Sequence, residues 1–144
     1  MYSTFPCDFV LPAEWEPQSA IMLTWPHADT DWKQYLRQIT NTYLELSEII
    51  TRFEHLLVVT PIVESTHKML SERLSSEQMK RVLLFEIDSN DTWARDHGPI
   101  TLISRNKQNS FIVPIHLLDF KFNGWGEKFA WQKDNAINLQ LYYQ

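Results

Sequence analysis

The densest group of reactive side chains lies in residues 90–99, which read Asn-Asp-Thr-Trp-Ala-Arg-Asp-His-Gly-Pro. Within it, Asp96 is a candidate buried anion that receives a cation, and the indole of Trp93 offers a π face beside it. A carboxylate accepts parallel N–H donors in pairs, and each charge-assisted bond contributes on the order of 1.5–3 kcal/mol. The segment therefore indicates binding of a planar cation such as a guanidinium.

The same segment also fits a purely structural interpretation. It would then be an Asx-type turn followed by an exposed ion pair between Arg95 and Asp96. Exposed pairs of this kind are common and weak, so for an arbitrary cluster of this composition the structural interpretation is the more frequent one. The residue types alone leave both interpretations open.

Two other segments contain residues that could serve a site. Residues 122–129 combine an amide, two flexible glycine positions and aromatic rings, which suits either a binding loop or a glycine loop around a packed tryptophan. Residues 25–32 offer His27, Asp29 and Asp31 to a metal. Because a Thr and Asp lead-in to a helix explains these residues more simply, no metal site is predicted.

Composition and charge limit the class of protein. The chain has 144 residues, enough for one domain with a core, and 44% hydrophobic with 22% charged residues is ordinary for a folded protein. A formal charge of -5 disfavours binding to nucleic acid or to an anionic membrane. The single cysteine, Cys7, allows neither an internal disulfide nor a Cys-rich zinc site, and a cytoplasmic protein is expected.

Strand and helix patterns alternate along the chain. Apolar runs stopped by proline predict buried strands at 19–25 and 55–60, and a third strand is predicted at 82–87. Apolar positions at three- and four-residue spacing predict helices over 32–53 and 63–74. The segments 99–103 and 110–115 predict a hairpin, and 134–144 a last element with Asp134 as its cap, in which the chain is expected to end. Together these elements predict an α/β fold in which helices cover a mixed sheet.

Three segments in one order resemble a known family. They are residues 11–17 leading to 22–26, residues 90–99, and residues 119–126, which read Asp-Phe-Lys-Phe-Asn-Gly-Trp-Gly. All three resemble the agmatine deiminases and the related bacterial peptidylarginine deiminases, and the resemblance runs from Tyr2 to Gln144.

This resemblance implies a fold and an activity. The family fold, the pentein, is a five-fold pseudosymmetric α/β propeller of ββαβ-type units with its active site at the centre. Residues 1–144 would then form a single partial deiminase domain, the N-terminal portion with about two units, truncated at its C-terminus. Family members hydrolyse a guanidinium, and agmatine deiminases convert agmatine to N-carbamoylputrescine and ammonia in putrescine biosynthesis.

Residue roles follow from the same resemblance. Asp96 matches the family carboxylate of the Trp-x-Arg-Asp motif, which gives it a catalytic role in binding the guanidinium, and Trp93 falls where the family lines the substrate with an aromatic ring. The remaining candidates are supporting residues: Asp91, Arg95, His97, Asn123 and Trp125. The resemblance implies no metal or organic cofactor.

The departures from the family pattern are equally informative. The Gly-His-x-Asp segment with the catalytic histidine and the glycine-rich segment with the nucleophilic cysteine have no counterpart, and Cys7 lies outside the family motifs with no cation nearby to lower its pKa. We therefore expect the chain to be inactive alone. A non-catalytic guanidinium-binding module and one half of a split peptidylarginine deiminase, completed by a C-terminal fragment, remain alternatives. Agmatine and peptidyl arginine both remain candidate ligands.

Overall fold

The computed structural model describes residues 9–104 and 115–144. The strands are β1 Phe9–Val10, β2 Ala20–Thr24, β3 His55–Thr60, β4 Val82–Glu86, β5 Ile100–Ser104 and β6 Ile115–Leu118. The helices are α1 Leu36–Ile50, α2 Val63–Arg73, α3 Ser76–Met79, α4 Ala94–His97, α5 Gly124–Glu127 and α6 Gln132–Tyr142, and a 3-10 helix, Asp31–Tyr35, precedes α1. Contacts divide the chain into two compact units: the larger contains residues 18–98 and 121–144, and the smaller contains described residues 9–17, 99–104 and 115–120.

A parallel three-stranded sheet forms the centre of the larger unit. The strand order is β2-β3-β4, with Met22 opposite Leu57 and Leu57 opposite Leu83. The predicted strands at 19–25, 55–60 and 82–87 are confirmed as these three strands. Their apolar, β-branched sequences suit strands that are buried on both faces.

Helices cover both faces of this sheet. Leu56 and Val58 of β3 point to one face, where they pack with Trp25 and with apolar residues of α1 and α2 such as Leu70. The alternate residue Val59 points to the other face and packs against Ile137 of α6. This alternation follows from the two-residue period of a strand, and it gives the larger unit two apolar layers.

The helices predicted at 32–53 and 63–74 are confirmed with changed bounds, since α1 ends at Ile50 and α2 ends at Arg73. The helix predicted from residue 32 begins as the 3-10 helix and becomes α-helical at Leu36. Thr30 occupies the position before it, but its hydroxyl donates to the carbonyl of His27 at 2.8 Å rather than capping the helix. The helix predicted at 63–74 is α2, whereas the short helices α3 and α4 were not predicted.

The smaller unit contains an antiparallel sheet with strand order β1-β5-β6. The predicted first strand of the hairpin, 99–103, is confirmed as β5, but its antiparallel partner is β6, Ile115–Leu118, which shares only residue 115 with the predicted second strand at 110–115. Residues 105–114, where the turn and most of the second strand were predicted, lie outside the described residues. The prediction of one mixed sheet is wrong, because the parallel and antiparallel strands belong to separate sheets.

Truncating the core should cost far more stability than truncating an exposed apolar residue. Leu56 is fully buried on the central strand, so Leu56→Ala leaves a cavity and should lower the free energy of unfolding by about 2–5 kcal/mol. Leu139 on α6 is 57% exposed, and Leu139→Ala should cost less than about 1 kcal/mol. Urea denaturation of both variants measures the difference, and equal losses would contradict the placement of β3 at the centre.

Candidate functional site

The candidate site lies where two loops leave the same edge of the parallel sheet. β2 and β4 run in the same direction on either side of β3, so the loops that follow them meet at the carboxyl edge. The loop after β2 contains His27 and Asp31, and the loop after β4 begins the 90–99 segment. This edge is where open α/β sheets commonly build sites.

Hydrogen bonds fasten these two loops to each other. The backbone N–H of Asp31 donates to Asp91 Oδ2 at 2.9 Å, and the indole N–H of Trp32 donates to Thr92 Oγ1 at 2.9 Å. His27 Nδ1 accepts from the N–H of Asp29 at 3.3 Å, so Nε2 carries the proton that it shares with Ser89 Oγ at 3.1 Å. His27, Asp29 and Asp31 thus serve the loop connection.

Asp91 is a structural carboxylate. It is 3% exposed, and while its Oδ2 accepts from Asp31, its Oδ1 accepts from the N–H of Thr92 at 2.7 Å. Both oxygens therefore already have donors, one from the next residue and one from the loop after β2. Its supporting role in the candidate site consists of joining the two loops.

A second buried carboxylate holds the same loop from the opposite side. Asp134 in the first turn of α6 is fully buried, and its Oδ1 accepts from the backbone N–H groups of Asn90 at 2.6 Å and Asp91 at 3.2 Å. Asn90 Oδ1 in turn accepts from the N–H of Lys133 at 2.8 Å. Burial raises the pKa of Asp134 to about 6, against the opposing effect of the two backbone donors.

The prediction that Asp134 caps the last helix is wrong. α6 begins at Gln132, two residues earlier, and the residue before it, Trp131, makes no side-chain cap. The carboxylate bonds instead to a loop that lies more than forty residues earlier in the chain. A short polar side chain at a helix start is free to bond outward when another segment packs against that turn.

An aromatic cluster joins the 90–99 and 122–129 segments. Trp93 contacts Trp125, Phe129 and Phe122 edge to face, at ring-centroid distances of 4.6, 5.4 and 6.2 Å. Trp125 also contacts Phe122 and Phe129, at 5.3 and 5.8 Å. The two segments that the sequence marked separately are therefore neighbours in space, and each edge-to-face pair adds about 0.5–1.5 kcal/mol beyond burial.

Unusual backbone geometry presents Trp125 to this cluster. Trp125 itself has a positive φ of 54°, and it lies between Gly124 and Gly126, with φ values of 60° and 81°. A Cβ on Gly124 would lie 2.6 Å from the carbonyl oxygen of Phe129, so only glycine fits there. Asn123 supports the turn, because its Oδ1 accepts from the N–H of Gly126 at 3.1 Å.

A shallow hollow of about 180 Å³ lies against Trp93 and Phe129. Three acidic residues and one basic residue are among those that line it: Asp29, Asp31, Asp91 and Lys133. An acidic and aromatic lining of this kind suits a cation rather than an anion.

Asp96 and Arg95 lie outside this hollow. α4 is a single turn, and the side chains of both residues are exposed. The prediction of Asp96 as a buried anion is therefore wrong for this chain, because the turn directs the following residue, His97, into the protein instead. Asp96 nevertheless lies three residues after Trp93 on the same short segment, with its carboxylate accessible to a ligand.

His97 is a buried neutral imidazole. It is 2% exposed, its Nε2 lies 3.1 Å from the hydroxyl of Thr24 at the end of β2, and its carbonyl accepts from Asn138 at 2.7 Å. Burial lowers the pKa of His97 to about 4, although the carboxylate of Asp96 acts in the opposite direction. His97 therefore ties α4 to the sheet and is uncharged at neutral pH.

Sequence reasoning missed Ser89, and it assigned Asp134 to a helix cap. Phe129 belongs to the 122–129 segment noted for its aromatic rings, but its contact with Trp93 was not predicted. Ser89 carries no local signal, because its role depends on a residue distant in sequence. A charged residue among the apolar positions of the last helix was the one available hint for Asp134.

Comparison with known proteins places this chain in a family. The family of Porphyromonas-type peptidyl-arginine deiminases matches residues 10–144, nearly the whole chain. The chain belongs to this deiminase family. The prediction made from the three sequence segments is thereby confirmed.

Solved deiminase structures share the fold of this deiminase chain. A cysteine-to-serine variant of C. jejuni agmatine deiminase with substrate bound is 33% identical, with a TM-score of 0.78 over 94% of this chain and 37% of that one. An arginine deiminase from Porphyromonas gingivalis, described as putative, is 39% identical with a TM-score of 0.74, over 94% and 37% of the two chains. The α/β fold is therefore that of a portion of these deiminases.

The curated relatives give the same result. A protein of Shewanella baltica named "Putative agmatine deiminase" is 28% identical over 141 residues, which are 94% of this deiminase chain and 35% of the relative. The chain thus spans about one third of the length of the relatives that it matches. Within its described residues, none of the helices is long and apolar enough to cross a membrane.

The buried neutral state of His97 predicts a specific pH dependence of stability. Because its pKa is lower in the folded than in the unfolded state, the unfolded chain binds more protons between about pH 4 and 6.5. The contribution of neutral His97 to the free energy of unfolding should therefore be complete above pH 6.5. It should be lost as the pH falls to about 4, a change on the order of 3 kcal/mol.

His97→Gln is the matched variant for this prediction, since glutamine can still bond to Thr24 and does not titrate in this range. Urea denaturation from pH 7 to pH 4 should show the unfolding free energy of the wild type falling more steeply than that of His97→Gln. Parallel curves, or an imidazole NMR signal of His97 that titrates near pH 6.5, would contradict the neutral buried state.

Proposed function

We propose that this chain is the N-terminal part of an agmatine deiminase-like hydrolase that converts agmatine to N-carbamoylputrescine and ammonia, a step toward putrescine. The observation that carries the proposal is the pairing of Trp93 with Trp125 beside an acidic hollow. Two separate family segments converge there on one aromatic surface. The likeness to a C. jejuni agmatine deiminase solved with its substrate supports the same substrate class.

The charge of the site agrees with agmatine as ligand. Agmatine carries a guanidinium at one end and a primary ammonium at the other, and both are cations at neutral pH. The hollow contains more carboxylates than cationic groups, and the whole chain carries a formal charge of -5. Carboxylates and indole faces are the two protein groups that attract such a ligand.

Within this proposal, Asp96 and Trp93 bind the guanidinium. The exposed carboxylate of Asp96 is able to accept two parallel N–H donors from a planar guanidinium, and Trp93, three residues earlier in the chain, would supply an aromatic face. Trp125 extends that face, while Asp91, Asn123 and His97 fix the loops and Arg95 flanks the carboxylate. These assignments concern binding and orientation.

The bond-breaking step needs groups that the described residues do not supply. In the proposed reaction a thiolate adds to the central guanidinium carbon, the C–N bond breaks with release of ammonia, and water then displaces the sulfur to leave a ureido group. The chain's one cysteine, Cys7, lies outside the described residues, and the buried His97 is held neutral against Thr24. We therefore propose that the 144-residue chain alone does not turn over agmatine, and that a complementary C-terminal part completes the enzyme in the cytoplasm.

A second candidate function is a non-catalytic guanidinium-binding module. The observation in its favour is that the candidate binding residues, Asp96 and Trp93, lie in the described part of the chain, which contains no cysteine. Binding by one carboxylate and one aromatic surface leaves most of the guanidinium donors facing water, so the affinity should be weak. Peptidyl arginine presents the same guanidinium and is the alternative ligand for either function.

Agmatine binding and turnover by the purified chain test this proposal together. We expect no ammonia release from the chain alone, and weak binding with a Kd on the order of 1 mM or higher in a calorimetric titration. Asp96→Asn should weaken the binding further, because the neutral amide lacks the charge that attracts the cation.

Glu64→Gln is the control for this titration, since it removes an equally exposed carboxylate from α2 and should leave the binding unchanged. Ammonia release that survives Cys7→Ser would contradict the account of the missing nucleophile. If Asp96→Asn and Glu64→Gln raise the Kd for agmatine equally, Asp96 contributes to binding only through the net charge of the chain. Adding arginine in place of agmatine distinguishes the two ligand types.

A further inference from the structure

The first turn of α6 reaches both segments of the aromatic cluster. Asp134 accepts the two backbone N–H groups of Asn90 and Asp91, and the neighbouring residue Asn135 accepts the N–H of Phe122 through its Oδ1 at 2.8 Å. Each bond joins a side chain of the helix to the backbone of a loop. One helical turn thus holds two loops that are separated in the sequence by about thirty residues.

Each held loop carries one member of the tryptophan pair. Trp93 lies three residues after Asn90, and Trp125 lies three residues after Phe122. The two indoles are 4.6 Å apart between ring centroids, with an interplanar angle of 66°. Because these segments are loops and single turns, regular secondary structure does not fix the separation of the two rings.

The contacts of Asp134 make its carboxylate difficult to replace. It is fully buried, and one oxygen accepts both loop donors while the other has no hydrogen-bond partner within the described residues. The charged groups around it are the carboxylate of Asp91 and the ammonium of Lys133. Removing the acceptor would leave one buried and one partly buried N–H group without this partner, and an unsatisfied buried N–H costs more than the net value of its bond.

We propose that Asp134 and Asn135 are positioning residues that together set the distance between Trp93 and Trp125. The two side chains act as a clamp: Asp134 fixes the loop before Trp93, and Asn135 fixes the loop before Trp125. The significance of this clamp for guanidinium binding rests on the proposed function. The clamp itself is a property of the chain and is open to test without any ligand.

The spectroscopic signature of the clamp is the exciton coupling of the two indoles. Two indoles in contact at an angle produce a far-UV circular dichroism couplet, whose amplitude depends steeply on their separation and mutual orientation. Trp93→Phe and Trp125→Phe should each abolish the couplet and so assign it to this pair among the six tryptophans.

The clamp variants then test the proposal. Asp134→Leu and Asn135→Ala remove an acceptor and should each lower the couplet amplitude by about half or more, since the freed loop lets the edge-to-face packing change. Asp134→Asn and Asn135→Asp keep an acceptor oxygen and should retain most of the amplitude. Gln140→Ala, at an exposed position on the same helix, is the control and should leave it unchanged.

The couplet amplitudes are compared only among variants that are folded. A thermal melt first establishes that the variant is folded, and if Asp134→Leu does not fold, Asn135→Ala and the two conservative variants carry the test. A full couplet in folded Asp134→Leu or Asn135→Ala would overturn the clamp, and so would equal losses in the acceptor-keeping and acceptor-removing variants. Absence of agmatine binding alongside the expected couplet changes would count against the proposed function and leave the clamp intact.

Discussion

The candidate site depends on one buried carboxylate. Burying the charge of Asp134 costs free energy, and two backbone N–H donors at 2.6 and 3.2 Å offset part of that cost. Its raised pKa, about 6, shows that burial is the larger effect. In return, its two bonds fix the path of the loop from Asn90 toward Trp93.

The parallel sheet explains why this loop is available to be fixed. Parallel neighbours bring their carboxyl ends to one edge, so the loops after β2 and β4 meet and are joined by Asp91 and by His27. α6 then packs on the sheet through Ile137 and presents its first turn to the same loops. Apolar packing therefore sets where α6 lies, and hydrogen bonds from its first turn hold the loops of the site in place. The C. jejuni agmatine deiminase structure shares the fold of this chain over a matched region that is 37% of its own length.

Elements set by neighbouring residues could be predicted from the sequence, whereas features set by contacts between distant residues could not. The strands at 55–60 and 82–87 and the helix at 63–74 were predictable, because local apolar patterns and prolines specify them. Asp134 was misinterpreted because a cap and a long-range acceptor look alike in sequence, and its partners lie more than forty residues away. The orientation of Asp96 was not predictable either, since it depends on which side of a single helical turn meets the sheet. The recognised segments supplied the family, while the contact between Trp93 and Trp125 required the structure.

Native-state hydrogen exchange of two amides tests this account most directly. If the carboxylate of Asp134 holds the loop, the backbone amides of Asn90 and Asp91 should exchange as slowly as amides of the central strand β3, although they lie in a loop. Their protection should fall in Asp134→Leu while that of Val58 on β3 changes little. Rapid exchange of both amides in the wild-type chain, at rates typical of exposed loops, would contradict the account.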